Sequence, residues 1–369
     1  MRTLLTRVIG HVDLDYFYAQ VEEIENPSIR DRPVLVCVFS GRTEDSGVVS
    51  TANYRAREFG VSSGTPIVVA KRRLQGKDPV LIRVQLPKYE SVSDRVMELI
   101  RSHVDVLEQA GIDEAFFDLT KSSQGDYGSA IEIAKRIKEL VLNEEHLTCS
   151  MGIGRSKVVA KLGSDTAKPG GLVVVLPDST ESFLGKMEVT RLYGVGPKTT
   201  DTLRSLGIRT VAELARADAA TLEVAFGRKP AAYLHAAANG TDSDSVKENR
   251  APSQFSRIIT LKDDTTDPEE IMAQLAGAED DLRNKLVSRN TSFRTLSAIA
   301  ILTDLSAKTR SKTFETPVKD LSSVRNSTLE LFAQLGDSTG REFRRVGIRV
   351  SDLTGNQNQK SLFEFLQPS

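Results

Sequence analysis

The chain has 369 residues, of which 39% are hydrophobic and 27% charged, a composition that suits two to four packed domains. Lys and Arg number 49 against 50 Asp and Glu, so a uniformly cationic surface for binding nucleic acid is excluded. Any nucleic-acid binding must come from local clusters of positive charge. No apolar run is long enough for a membrane helix, and two cysteines with four scattered histidines supply neither a disulfide framework nor a zinc site. We therefore expect a soluble, cytoplasmic protein.

Up to residue 176 predicted strands alternate with predicted helices, which indicates an α/β layer. The strands are 7–13, 33–39, two pieces within 111–119, and 148–153; the helices are 19–24, 52–59, 87–106, 130–142 and 157–164. Thr51 offers a hydroxyl cap to the helix at 52–59, and Gly60 can end it.

Beyond residue 176 the composition changes twice. Residues 177–241 are rich in Ala and Leu and predict an all-helical module, whereas 241–250 is polar and predicts a linker. The remaining pattern is a split β-α-β unit, with both helices on one face of a four-stranded sheet. Its strands are 255–261, 295–302, 312–318 and 343–350, and its helices are 268–286 and 321–335.

Three carboxylates lie on or at the ends of predicted strands: Asp13 and the adjacent pair Asp113 and Glu114. If they converge, they can hold two hard cations about 3.5–4 Å apart, the arrangement that supports phosphoryl transfer. Period-two alternation would add Asp15 to the same face as Asp13. Taken alone, the acidic pair is better explained as a hairpin turn.

The stretch Gly152-Ile153-Gly154-Arg155-Ser156-Lys157 is placed like a phosphate loop between a strand and a helix. It lacks the third glycine of the dinucleotide fingerprint and the spacing of a Walker loop, so a tight structural turn is favoured. An NAD or P-loop enzyme is excluded on that basis.

Three single residues are ambiguous phosphate ligands. Tyr54 and Arg57 are three apart on one short helix and share a face, and an arginine there can grip phosphate oxygens or simply be solvated. Lys168, before Pro169-Gly170-Gly171, is equally ambiguous.

The helical module contains a glycine pattern typical of a helix-hairpin-helix. Gly194, Gly196 and Lys198 lie between two predicted helices, where glycines let the backbone approach a phosphate and free N–H groups bind it without reading sequence. The alternative is an ordinary interhelical turn.

The C-terminal module is nearly neutral but its charge is segregated. Residues 283–312 carry seven Lys and Arg, Arg294 among them, against the single acid Asp304. Arg345 and Arg349 alternate with apolar residues on the last strand, which places them on the open face of the sheet. That face is either a solvated basic surface or a sheet laid along duplex phosphates.

Four ordered strings together resemble the Y-family of translesion DNA polymerases, in the DNA polymerase IV branch and most like its archaeal members. They are HVDLDYFYAQVEE from His11, VCVFSGRTEDSGVVSTANYRAREFGV from Val36, IDEAFFDL from Ile112 and GIGRSKVVAKLGSDTAKPGG from Gly152. The sequence departs from the family pattern at Gly111, where many relatives carry serine, and at Val48, where some carry alanine.

The resemblance implies a multidomain α/β plus α+β protein, a right-hand polymerase with a split β-α-β little finger and a helix-hairpin-helix thumb. It implies a palm at 1–16 and 85–176, fingers at 17–84, a thumb at 177–241, a linker at 242–252, a little finger at 253–352 and a flexible tail at 353–369.

The resemblance also assigns roles to residues. Asp13 and Asp113 would hold two Mg²⁺ ions, Glu114 would hold the catalytic one, and the Leu14 carbonyl would complete the nucleotide-side site; Asp15 is not carried over as a ligand. Tyr18 falls at the steric gate that excludes ribonucleotides. The other implied nucleotide-binding residues are Phe17, in the sugar pocket, and the triphosphate ligands Thr51, Tyr54, Arg57 and Lys168.

The implied activity is template-directed transfer of a deoxynucleotide to a primer 3′-hydroxyl, opposite damaged or undamaged bases and without proofreading. The implied partners are primer-template DNA and deoxynucleoside triphosphates, with no membrane, and we expect a monomer. A non-catalytic DNA-bridging protein is the alternative, although the intact carboxylates argue against it; a palm-type nucleotide cyclase would need neither the glycine hairpin nor the sugar gate.

The C-terminal tail carries a spacing that looks like the peptide with which replication proteins bind the sliding clamp. The residues are Gln359, Leu362, Phe365 and Leu366. One helical turn would place the three apolar side chains on one face. The alternative is that they pack back on the preceding module.

Overall fold

The computed structural model describes residues 5–242, 244–248 and 252–355. The described residues form two compact units. The first comprises residues up to 37, 49–65 and 69–250, and the second comprises 38–48, 66–68 and the residues from 251 onward. No helix in these described ranges has the length and apolarity to cross a membrane.

A five-stranded sheet organises the first unit, in the order β5-β6-β1-β7-β8. Its strands are β1 (Ile9–Leu14), β5 (Val106–Gln109), β6 (Glu114–Asp118), β7 (Cys149–Gly154) and β8 (Leu172–Val174). All six residues of β1 are buried, and β1 pairs antiparallel with both β6 and β7. The middle of the sheet is therefore fixed by backbone bonds on both sides of β1.

Helices pack on this sheet and build its core. They are α1 (Phe17–Glu25), α4 (Leu86–Arg101), α5 (Tyr127–Glu145) and α6 (Lys157–Ala167). The apolar stripe of α5, with Ala134 and Ile137 fully buried, packs in one cluster with Val12 and Phe117 of the sheet. The helix begins at an Asp126 cap, whose side chain accepts the Ser129 N–H at 2.6 Å, as the capping rule expects.

Residues 34–83 add a three-stranded sheet in the order β3-β2-β4 and two short helices. These elements are β2 (Val34–Phe39), β3 (Gly47–Ala52), α2 (Tyr54–Arg57), α3 (Ile67–Arg73) and β4 (Val80–Arg83). The predicted Thr51 cap is wrong, because Thr51 lies inside β3 and the Asn53 side chain caps α2 by accepting the Ala56 N–H at 3.0 Å. A β-branched residue fits the pleated strand, and Asn53, directly before α2, places its side-chain oxygen on the helix N–H groups.

Of two further local predictions, one is wrong and one is confirmed. The helix predicted to reach Val106 ends at Arg101, because the chain turns there and Val106 begins β5. The predicted tight turn between strand and helix is present, because β7 ends at Gly154 and α6 begins at Lys157. Gly152 lies within β7 and is needed for a close approach to α6, since a Cβ there would clash with backbone atoms of that helix. Glycine often marks such close backbone approaches in strands.

Residues 180–238 form the predicted helical module. Its helices are α7 (Thr180–Gly185), α8 (Pro197–Ser205), α9 (Val211–Ala215), α10 (Ala219–Phe226) and α11 (Arg228–Ala238). They share a core with Val158 and Leu162 of α6. The module is thus packed directly on the helix that follows β7.

The polar segment that follows makes specific contacts within the first unit. The Val158 N–H donates to Asp242 Oδ2 at 2.9 Å, and the Lys247 N–H donates to Glu108 Oε2 at 2.8 Å. Val246 is buried against residues of the sheet. The described part of this predicted linker is therefore held by hydrogen bonds and one apolar anchor.

From residue 254 the predicted split β-α-β pattern is present and occurs twice. The elements are β9 (Gln254–Thr265), α12 (Pro268–Ser288), β10 (Thr291–Leu302), β11 (Ala307–Val318), α13 (Arg325–Thr339), β12 (Phe343–Ser351) and β13 (Thr354–Gly355). The sheet order is β11-β10-β12-β9 and every adjacent pair is antiparallel. β12 therefore lies between the parallel strands β9 and β10, and β10 between β11 and β12.

Candidate active site

The register of β1 and β6 brings two predicted carboxylates together. Asp13 is the direct cross-strand partner of Glu114, and the Leu14 N–H donates to the Asp113 carbonyl at 2.8 Å. The acidic pair closes the β5–β6 hairpin, since the Gly111 N–H donates to the Glu114 carbonyl at 3.0 Å. The hairpin-turn and metal-site interpretations of the acidic pair are thus compatible, because the turn places both acids at the end of β1.

Their surroundings shift the pKa values of these acids in opposite directions. Burial raises the pKa of Asp13 to about 6, against the favourable charge of Lys168, and also raises the pKa of Asp113. The contact with His11 and the ion pair with Lys161 lower the pKa of Glu114 to about 2. Two acids of this site thus resist ionisation while the third is held as a carboxylate.

Two lysines pair with these acids. Lys168 Nζ lies 2.7 Å from Asp13 Oδ1, and Lys161 forms an ion pair with Glu114. His11, fully buried on β1, places Nε2 3.5 Å from Glu114 Oε2. Among the residues that the structure describes, no three His, Cys, Asp or Glu side chains are gathered closely enough to form a ready-made metal cage.

The predicted sugar-pocket residues begin α1. Phe17 is buried, whereas Tyr18 is half-buried and its ring stacks on Tyr89 of α4, with centroids 4.2 Å apart and planes inclined by 13°. The Tyr89 hydroxyl in turn donates to Glu22 at 2.5 Å. The Tyr18 ring is therefore held in one orientation by a second, fully buried ring.

The predicted triphosphate ligands come from three elements. The Arg57 guanidinium lies 5.0 Å from the centre of the Tyr54 ring, so the predicted shared face on α2 is confirmed. Thr51 is on β3, and Lys168 directly follows α6. Arg57 is exposed, and its Nε–H donates to the Ala52 carbonyl at 2.9 Å, which leaves its terminal nitrogens available for an anion.

Several residues that contact this site carry only weak signals in the sequence. Lys161 and Lys168 are seven residues apart, two turns of a helix, so helical spacing could have placed Lys161 on the same side as Lys168. Tyr89 could have been noted as the one aromatic residue on the apolar face of α4. His11 had only its position two residues before Asp13 as a signal.

The glycine hairpin of the helical module has the predicted local form. Gly194 has a φ of +81°, which favours glycine, and Gly196 precedes the first residue of α8. Nothing lies within 4 Å of a Cβ built on Gly196. The N-terminus of α8, with Lys198 in its first turn, is thus open to an anion.

The second unit carries the predicted basic face. Val346, Ile348 and Val350 are fully buried beneath the helices, so Arg345 and Arg349 point to the opposite face, as predicted. The Arg294 guanidinium is bound to backbone carbonyls of β11. Part of the basic stretch is neutralised by acids outside it: Lys312 pairs with Glu330 of α13 at 3.2 Å.

Three family models match the chain. The impB/mucB/samB family matches residues 12–165, its C-terminal domain matches 252–362, and a model described as the DNA polymerase-iota thumb domain matches 190–242. The matches follow one another along the chain in the order of the predicted palm with fingers, thumb and little finger.

Curated relatives and solved structures agree with these models. DNA polymerase IV of Methanosarcina acetivorans is 40% identical over 98% of this chain and 100% of its own, and that of Nitrosopumilus maritimus is 36% identical over 98% and 99%. The structure titled "Y-family DNA polymerase chimera Dbh-Dpo4(243-245)-Dbh" is similar with a TM-score of 0.89, at 33% identity, 95% coverage of this chain and 100% of the other. The "Insertion ternary complex of Dbh DNA polymerase" is similar with a TM-score of 0.67 at the same identity and coverage.

Full-length identity of 40% is far above what a shared fold alone requires, and the matched segments include Asp13, Asp113 and Glu114. The chain therefore belongs to the Y-family of DNA polymerases, in its DNA polymerase IV branch.

Proposed function

We propose that this protein is a template-directed DNA polymerase that extends a primer opposite damaged or undamaged bases, without a proofreading activity. The observation that carries the proposal is the pairing of Asp13 with Glu114 across β1 and β6, at the strand end where Lys168 contacts Asp13. A carboxylate pair beside a lysine and an aromatic sugar gate is the set of groups that nucleotidyl transfer to a primer hydroxyl requires.

The donor set fits Mg²⁺. Asp13, Asp113, Glu114 and the Leu14 carbonyl offer only oxygen atoms, which are the ligands that this hard cation prefers. Burial raises the pKa of Asp13 and of Asp113, so a cation that neutralises them also relieves the cost of their ionisation. Two bound ions would lower the pKa of the primer 3′-hydroxyl and neutralise the charge on the leaving pyrophosphate.

The other residues bind and orient the incoming nucleotide. Arg57 and Lys168 supply positive charge to the triphosphate, with Thr51 and Tyr54 as hydroxyl donors. Tyr18 lies beneath the sugar, with Phe17 as its neighbour, and excludes a 2′-hydroxyl by contact. The stacked Tyr89 ring makes this gate stiff, because Tyr18 cannot tilt away without losing that contact.

Two surfaces are assigned to primer-template DNA. One of the similar solved structures is the "Insertion ternary complex of Dbh DNA polymerase". In this chain we assign backbone contacts to Gly194, Gly196 and Lys198 of the hairpin and to the arginines of the C-terminal sheet, which are Arg294, Arg345 and Arg349. Main-chain N–H groups and arginines bind phosphate without reading the base sequence.

The protein works as a cytoplasmic monomer tethered by its tail. Both cysteines, Cys37 and Cys149, are free and buried, which suits a reducing compartment. The tail residues Gln359, Leu362, Phe365 and Leu366 lie outside the described residues, and their spacing alone supports the binding of a sliding clamp. A tether raises the local concentration of the enzyme at the primer end without altering the chemical step.

Primer extension by Glu114→Ala tests the catalytic assignment. We expect nucleotide incorporation to fall by at least about 1,000-fold. Primer-template affinity should be unchanged, because Glu114 belongs to neither of the two DNA-binding surfaces. Glu132→Ala, which removes an exposed carboxylate from α5, is the matched control and should behave as wild type. Near wild-type extension by Glu114→Ala would refute the two-metal site.

Deletion of residues 359–369 tests the tether. We expect unaided primer extension to be intact and the stimulation by a loaded clamp to be lost. A truncated protein that loses basal activity, or that the clamp still stimulates fully, would show that the tail has another role.

A further inference from the structure

The segment Lys168–Gly171, here called the lysine loop, follows α6 and presents Lys168 to Asp13. Both backbone polar groups of one residue in it, Gly170, are bound by charged side chains on opposite sides. The Gly170 N–H donates to Asp15 Oδ2 at 2.9 Å, and the Gly170 carbonyl accepts from Lys138 Nζ at 2.8 Å. Resting on the triphosphate role proposed above for Lys168, we propose that Asp15 and Lys138 are positioning residues that hold this loop for nucleotide binding.

Asp15 is fully buried, and its carboxylate is satisfied by hydrogen bonds. Oδ1 accepts from Ser150 Oγ at 2.7 Å and Oδ2 accepts from Thr148 Oγ1 at 2.9 Å, both on the chain entering β7. A buried carboxylate is costly unless it is fully hydrogen-bonded. Apart from Thr148 and Ser150, the side chain of this buried residue contacts groups on the nucleotide-binding side.

Those further contacts join two predicted triphosphate ligands. Besides the Gly170 N–H next to Lys168, Asp15 Oδ1 accepts from the Tyr54 hydroxyl at 3.4 Å. One carboxylate therefore lies between α2, which carries Tyr54 and Arg57, and the lysine loop. Moving it would disturb both groups of ligands together.

Lys138 of α5 binds the loop from the other side. Its ammonium donates to the carbonyls of Gly170 at 2.8 Å and Gly171 at 3.2 Å, and also to the Cys149 carbonyl. An ammonium group has three donors, so these three carbonyls use all of them. Lys138 is therefore bound entirely to backbone of the loop and of β7, away from the nucleotide.

The loop needs such restraint because Gly170 has a φ of +63° and its neighbour is also glycine. Glycines have the largest conformational freedom of any residue. Without the two side chains, the free loop would populate conformations in which Lys168 is withdrawn from the phosphates. Nucleotide binding should then weaken more than the maximum rate falls.

Lys138→Met tests this, because it keeps the length of the side chain, removes all three hydrogen bonds and leaves the site itself untouched. We expect the KM for a deoxynucleoside triphosphate to rise by about tenfold in single-nucleotide incorporation, with primer-template affinity unchanged. Lys138→Arg should restore most of the affinity. Lys135→Met, on the same helix but paired only with Glu132, is the control and should match wild type.

A double-mutant cycle separates positioning from general destabilisation. If Lys138 acts through Lys168, Lys138→Met should raise KM in the wild-type background and have no effect on KM when Lys168→Ala is already present. Additive effects, or an unchanged KM in Lys138→Met, would overturn the inference while leaving the polymerase assignment intact. An unchanged KM in Lys168→Ala alone would overturn the triphosphate role as well.

Asp15→Asn gives an independent check from the other side of the loop. It keeps the shape of the side chain and removes its charge, and we expect the same rise in KM. Thermal unfolding of each variant accompanies the kinetics. Loss of thermal stability with an unchanged KM in both Asp15→Asn and Lys138→Met would show that the two residues are only structural.

Discussion

A single methyl group added at Gly152 should damage both stability and activity. Gly152 lies in β7, where the strand backbone approaches α6. A Cβ there would lie 2.7 Å from the carbonyl carbon of Gly163 and closer still to Ala160 O and Ser164 N. These are backbone atoms that cannot rotate away, so Gly152→Ala must push the helix from the sheet.

The size of the effect follows from that distance. Ordinary van der Waals contact begins at 3.4 Å and the shortest distance, to Ala160 O, is 2.0 Å, so α6 must move by about 1.4 Å (3.4 − 2.0) to relieve the clash. Overpacking of this kind costs about 1–3 kcal/mol of folding free energy. Because α6 carries Lys161, which contacts Glu114, and leads to Lys168, a displacement of this size should lower the incorporation rate by about 10- to 100-fold.

Urea unfolding and single-nucleotide incorporation measure the two effects separately, with the rate taken under conditions where the variant is folded. Gly277→Ala is the control: it lies in α12 with nothing within 4 Å of the added carbon, and should stabilise the protein by about 0.5–1 kcal/mol. If Gly152→Ala kept the wild-type urea midpoint and rate, the close packing of α6 on β7 would not position the site.

Three further predictions concern the gate, the hairpin and pH. Tyr18→Ala should incorporate ribonucleotides, whereas Tyr18→Phe should still discriminate against them as wild type does, because the ring excludes the 2′-hydroxyl by steric contact. Equal ribonucleotide incorporation by wild type and Tyr18→Ala on one template base would disprove the gate. Gly196→Asp should weaken DNA binding by placing a carboxylate against phosphate, and Gly196→Ala is the control because the position is open. Titrations of labelled primer-template at several salt concentrations measure the affinities, and equal affinities for the two variants would mean that the hairpin is only a structural turn. Burial raises the pKa of Asp13 from 3.8 to about 6, so its ionisation opposes folding fully above pH 6, and this cost is lost progressively as the pH falls from 6 to 3.8. In chelator, Asp13→Asn should therefore be stabilised relative to wild type by up to about 2 kcal/mol more at pH 8 than at pH 4. A difference in unfolding free energy that does not vary with pH would contradict the burial argument.

Local patterns were sufficient for most of the secondary structure. The stripe of α5 and the strand–helix order after residue 254 were predicted because each depends on neighbours two to four residues away. The prediction failed where one local rule competed with another. Thr51 is a good cap by type, but β3 continues through it and Asn53 caps the helix instead.

Only some of the residues of the candidate site could be predicted from the sequence. The motif strings named Asp13, Asp113 and Glu114, but nothing local says that Asp13 lies opposite Glu114; that depends on the register between β1 and β6. Period-two alternation placed Asp15 beside Asp13, yet β1 ends at Leu14 and Tyr16 has a φ of +36°. Once the strand has ended, its alternation no longer applies.

The sequence by itself therefore determined the order of elements, the family and the candidate acids, since these are carried by short-range periodicity and contiguous motifs. Only the tertiary structure decided which groups surround those acids. Asp15 meets Gly170, 155 residues away, and Lys138 meets Gly170 from another helix. Such contacts arise because buried polar groups must find partners wherever the packed chain brings them, and no local pattern specifies which partner that will be.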